Sequence, residues 1–164
     1  MFARGRHRGR QFFGALRPHV ADAGRADAYR WLNEAERALF ESMMQRDQQH
    51  GIDVYRRVQA SAAADPALFT AALLHDCGKG RVALWHRVAH VLLAATAPAI
   101  ERRAESEHGA EWQRALYRLR HHPDIGAEMA AATGADGDVV RMIREQDAAT
   151  PDARLALLQA ADEA

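Results

Sequence analysis

The chain has 164 residues, and its 22 lysines and arginines balance 22 aspartates and glutamates, so it carries no net charge before histidine is counted. That length fits one domain around one core, and the balance gives no reason to expect a nucleic acid or a membrane surface as partner. A single cysteine excludes an internal disulfide, no apolar run reaches the length of a membrane span, and no signal-like segment follows the first arginines, so a cytoplasmic location is expected.

Alanine, leucine and arginine are abundant and β-branched residues are few, which predicts an all-α fold with no significant sheet. Residues 1–25 hold Arg4, Arg6, Arg8, Arg10, Arg17 and Arg25 against Asp22 alone. Arginine and glycine alternate there without helical period, so a basic, partly flexible arm is expected ahead of a helical domain over 26–164. No aromatics are interleaved among Arg4 to Arg10, so base stacking is not expected of the arm. From Ala26 to Arg46, Tyr29, Leu32, Ala35, Leu39, Phe40 and Met43 recur at helical spacing. Ile52, Val54, Tyr55 and Val58 form a new apolar face, and Gly51 predicts a break or kink that leaves His50 at a helix junction. Asp65 followed by Pro66 is a strong start signal for a helix that stops by Gly78.

Residues 82–96 read as a largely buried helix, and a short helix is expected over 99–103. Helices follow over 107–120, from Pro123 to Gly134, after Asp136 or Asp138 as cap, and after Thr150 as cap with Pro151 in first position. The expected result is a bundle of about seven or eight helices with short loops.

Leu73 to Gly80 reads LLHDCGKG, and it brings His75 and Asp76 to the end of a segment that belongs in the core. Burying both is costly unless something pairs with them. His50, His75, Asp76, His122 and Asp162 are each expected at a helix terminus or in a last turn, where side chains from different helices can converge. Imidazole and carboxylate donors without thiolate suit manganese, iron, cobalt, nickel or magnesium better than structural zinc. A bound cation would favour neutral imidazole and ionised carboxylate at His75 and Asp76.

Together with QQHGIDVYRRV upstream and HHPDIGAEMA and LALLQAADEA downstream, this motif resembles the HD-domain superfamily of metal-dependent phosphohydrolases, in particular its HDIG-type branch, over about residues 45–164. The resemblance implies an HD-like helical bundle with one divalent ion per chain, held by His50, His75, Asp76 and Asp162. It also implies hydrolysis of a nucleotide or another small phosphate ester through a metal-activated water. Asp76 would then orient the water as well as hold metal, and Lys79, the only lysine beside 21 arginines, would meet a phosphate oxygen as a point charge. Binuclear members of the branch carry a His that His122 matches and a His-His pair some two dozen residues on. In this chain that pair falls on Gln146 and Asp147, so a second ion would have to rest on His122 and Asp147. The same loss favours an alternative, a non-catalytic HD module with a structural or absent metal that binds a partner or an anionic ligand.

Other candidates carry less. His86 and His90 share a helix face with Trp85, Val88, Val91 and Leu92 and are expected as partly buried core residues. Cys77 is expected to pack rather than react. Asp47 and Gln48 are placed to support the His50 imidazole. Met43, Met44 and the tryptophans read as core, and His121 stands either beside the site through His122 or in solvent.

Overall fold

The computed structural model describes residues 22–61 and 64–164; the arginine-rich stretch 1–21, on which most of the expected arm falls, lies outside them. Within the described residues there are nine α-helices and no strand, as expected of an all-α chain.

The long helix expected over 26–46 is divided. Helix α1 (Asp22–Ala28) runs into a 3-10 turn at Tyr29–Trp31, and α2 (Glu34–Ser42) starts afresh. Asn33 causes the division, because its Oδ1 accepts from Glu36 N at 2.9 Å while its own N–H donates to Glu36 Oε2 at 2.7 Å. That reciprocal cap fixes a helix start in the middle of an otherwise periodic segment. Met43 is extended and ends α2, and α3 (Gln45–Ser61) follows at once. Residues 22–25 belong to α1, and Arg25 Nη2 donates to Gln48 Oε1 at 3.1 Å on α3.

Gly51 does not break α3. The helix continues through it, and a Cβ there would stand 2.8 Å from Leu73 O, so the glycine is what lets α3 approach α4 (Pro66–Leu74) this closely. Asp65 caps α4 by accepting from Leu68 N at 3.1 Å, with Pro66 in the first turn, as the sequence predicts. Leu68 to Leu74 are all buried, so α4 is the central helix, with its apolar residues on every side. Phe40, Ile52, Tyr55, Met142, Ile143, Leu155 and Leu158 close around it, each burial contributing roughly 1.5–3 kcal/mol for a large side chain.

After the 3-10 turn Cys77–Lys79 come α5 (Leu84–Thr96) and α6 (Pro98–Ala104). The expectation of a largely buried α5 is overturned: His86 alone is buried, while Trp85 is 60% exposed and Leu84, Val91 and Leu92 also face outward. Trp112 is exposed as well, so of the three tryptophans only Trp31 packs against the core. Helix α5 packs on α6 and α7 and reaches α3 through the Arg87–Asp47 pair, and Leu84, Trp85, Val91 and Leu92 are left exposed among the described residues.

The two helices expected over 107–120 and 123–134 are one, α7 (Glu111–Ala132), which passes through Pro123 without ending. Asp136 then caps α8 (Gly137–Arg144) by accepting from Asp138 N at 2.8 Å. Asp152, rather than Thr150, caps α9 (Ala153–Glu163), accepting from Leu155 N at 2.8 Å. Helix α9 lies along α3, where Arg57 Nη1 donates to Ala161 O at 3.0 Å. No helix of the described residues is long and apolar enough to cross a membrane.

Candidate metal centre

Three parts of the chain deliver the centre. His50 stands in the second turn of α3 and not at a junction, His75 caps the C-terminus of α4, Asp76 follows it, and Asp162 lies in the last turn of α9. The α3–α4 contact at Gly51 sets the spacing of the first two, whose rings meet edge to face with centroids 5.2 Å apart. His50, His75 and Asp76 each offer one ligand atom, all within 4.8 Å of one another, a group that could hold a metal ion. Asp162 Oδ1 closes the constellation at 2.7 Å from His50 Nε2 and 3.5 Å from His75 Nε2.

His75 is 2% exposed and Asp76 3%. The His75 Nδ1 lies 2.9 Å from Ala72 O, an acceptor, so Nδ1 carries the hydrogen and Nε2 points at Asp76 Oδ1, 3.4 Å away. Burial works against a charged His75, but the carboxylates of Asp76 and Asp162 outweigh it and raise the imidazole to about 9. Burial likewise opposes ionisation of Asp76, yet Lys79, His75, His50 and His122 hold its carboxyl far below the usual range. The Asp162 carboxyl is held down against burial by its hydrogen bonds to His50 and His75. The donor set therefore carries two carboxylates balanced by Lys79 and the His75 proton, and a divalent cation in place of that proton would leave the set with one positive charge in excess.

Lys79 Nζ is 2.6 Å from Asp76 Oδ2, so in this arrangement its ammonium serves Asp76. His122 approaches from α7, with Nε2 3.7 Å from Asp76 Oδ1; burial and then the Lys79 charge lower it to about 4, so it is neutral. Asp147 comes from another side. It lines a cleft of about 210 Å³ together with His75, Gln146, Leu158, Gln159 and Asp162, where partial burial and then the charge of Asp162 push its carboxyl up. His122 and Asp147 thus lie toward different carboxylates of the centre, Asp76 and Asp162. Gln146 is buried and spends its amide on His75 O and Ile143 O, both at 3.0 Å, so it braces the His75 backbone.

Of the expected supports of His50, Asp47 pairs with Arg87 Nη2 at 2.6 Å, and Gln48 donates to Glu41 O and Met43 O. Cys77 is buried, its thiol pushed up to about 12 by burial and by Asp76, and its Sγ faces Gly126 O at 3.5 Å, which makes it a packing residue. His90 and His121 belong to a separate cluster between α5, α6 and α7. There His90 Nδ1 meets the buried Glu101 at 2.5 Å, and Arg120 and His121 flank Glu105.

Sequence reasoning missed the glycines that bring the motifs together. A Cβ on Gly78 would stand 2.2 Å from His122 O and 2.6 Å from Gly126 N, so the HDCG turn rests directly on the backbone of α7. The HDCG and PDIG strings carry the signal, a glycine in each, but nothing in either string says that the two touch. No family model, curated protein or solved structure matches the chain, so its chemistry is read from the centre's own donors.

Proposed function

We propose that the protein is a metal-dependent phosphohydrolase of the HD type, with one divalent cation held by His50, His75, Asp76 and Asp162, acting on a nucleotide or other small phosphate ester. One observation carries the reading: two imidazoles and two carboxylates from α3, the end of α4 and α9 converge, with His75 and Asp76 buried and the His75 ring oriented by its hydrogen bond to Ala72 O. Such nitrogen and oxygen donors suit manganese, iron, cobalt, nickel or magnesium.

A divalent cation at this point supplies Lewis acidity toward a phosphoryl oxygen and makes nearby water a better nucleophile. The chain's own residues do the rest. Asp76, anionic and paired with Lys79, would hold a water hydrogen beside the other donors. His122, neutral, adds an acceptor at Asp76 Oδ1, the oxygen that His75 also faces. Lys79 can swing from Asp76 to a phosphate oxygen as substrate charge enters, since both are anionic acceptors for one ammonium. Cys77 remains a buried thiol, in keeping with a reducing cytoplasmic setting.

The test is metal analysis of the protein and of its His75→Ala and Asp162→Ala variants, followed by phosphomonoester and phosphodiester screening with manganese, cobalt and magnesium. Near-stoichiometric metal, lost in both variants, with hydrolysis by the wild type is expected. A wild type that stays metal-free after reconstitution overturns the reading. The commitment of Lys79 to Asp76 and of Gln146 to the His75 backbone favours a second reading, a non-catalytic HD module. Tight metal without turnover of any ester would select it.

A further inference from the structure

We propose that Pro123 is a positioning residue: by withholding a backbone N–H in the middle of α7, it leaves Leu119 O to the His122 ring and so fixes which nitrogen of His122 faces Asp76. In an uninterrupted α-helix the N–H of residue 123 would donate to the carbonyl of residue 119. Proline has no N–H, and it is the least favourable residue for a helix interior, yet α7 continues through it. The carbonyl it frees does not go unused, because His122 Nδ1 lies 2.9 Å from Leu119 O. A carbonyl can only accept, so Nδ1 carries the hydrogen and Nε2 keeps its lone pair, directed at the centre 3.7 Å from Asp76 Oδ1.

His75 places its Nδ1 hydrogen by another route. Its Nδ1 donates to Ala72 O, a carbonyl of the last turn of α4 that has no intrahelical donor because the helix stops there. Both rings therefore bond the carbonyl three residues back and present Nε2 to the same carboxylate oxygen, at 3.4 Å and 3.7 Å. A helix end makes the carbonyl available in one case, and a proline does so in the other. Gly78 lies against His122 O, so the backbone of this turn is also held from outside the helix. A ring with the opposite tautomer would turn a hydrogen, rather than a lone pair, toward Asp76 and the centre. The use of that lone pair rests on the hydrolase reading, whereas the tautomer itself is a property of the metal-free chain.

The experiment is long-range 1H–15N correlation on metal-free protein carrying 15N-labelled histidine, with the His122 signals assigned by their loss in His122→Gln. The wild type should show the Nδ1–H form at His122. Pro123→Ala restores an amide that competes for Leu119 O, so His122 should move toward the Nε2–H form while His75 stays unchanged. Pro123→Ser restores the same N–H and should agree. A wild-type Nε2–H form, or a His122 tautomer unmoved in both variants, overturns the proposal. The expected tautomer shift in a protein that binds no cation supports the positioning role and overturns the hydrolase reading. Cation binding with an unmoved tautomer does the reverse.

Discussion

Gly78→Ala tests whether the HDCG turn is seated as tightly as the geometry demands. The added methyl would lie 2.2 Å from His122 O and 2.6 Å from Gly126 N, short of ordinary contact by more than 1 Å at the closer atom. Both neighbours are backbone of α7, so neither can swing away, and either the turn or the helix must move as a unit. Overpacking of this kind costs about 1–3 kcal/mol, and the absence of a yielding side chain places this case near 3 kcal/mol. For a domain of this size that corresponds to a fall in Tm of about 6–12 °C. The control is Gly137→Ala, where a Cβ meets nothing within 4 Å, and whose stability should stay within about 0.5 kcal/mol of the wild type. Urea and thermal unfolding of the three proteins side by side measure both numbers. If Gly78→Ala unfolds at the wild-type midpoint, the close seating of the motif on α7 is wrong, and with it the argument that this contact fixes His122 beside Asp76.

Three further outcomes are expected. Because His75 is raised from 6.5 to about 9 in the folded protein, its contribution is present in full below pH 6.5 and is lost as pH rises through about 9. Metal-free protein should lose about 3 kcal/mol over that window in urea titrations, and His75→Ala should not show the slope. Cation affinity should climb over the same interval as the proton leaves. Glu101, 1% exposed between His90 and Arg120, should cost about 3 kcal/mol as Glu101→Gln, measured by denaturant unfolding; a loss below about 1 kcal/mol would mean the pair is solvated. Asp65 both caps α4 and pairs with Arg154, so Asp65→Ala should cost about 2 kcal/mol and Asp65→Asn, which keeps the cap, about 1 kcal/mol. Equal losses in the two variants would show that the cap contributes nothing.

The all-α class was legible because composition and capping chemistry act locally. Asp65–Pro66 and Asp136 start helices where their side chains say they should. Asn33 and Asp152 escape such a reading, Asn33 because it lies inside an otherwise periodic segment and Asp152 because Thr150 and Pro151 offer a start signal just before it, so only the realised hydrogen bond decides. Pro123 was taken as a boundary from local preference, but the packing of α7 against α8 and against the HDCG turn outweighs what one proline costs. The exposure of Trp85 and Leu92 could not be read from the chain, because an apolar stripe looks the same whether or not the fold supplies something to cover it. At the centre, the residue types that could bind metal were legible from the HDCGK string and its flanks. The tautomers and the close glycine contacts were not, because they depend on which carbonyls and which backbones lie opposite in space.

His50 and Asp162 are 112 positions apart, yet their hydrogen bond is the shortest link in the donor set. A loop of that length closes late, after the local helices have formed and α9 has docked on α3. A partly folded chain can present the HDCGK turn without completing the donor set. Capture of a cation at full strength would then report that folding has finished, and the order of events becomes readable: chain collapse first, metal uptake last, with a metal-sensitive signal lagging any probe of helix content.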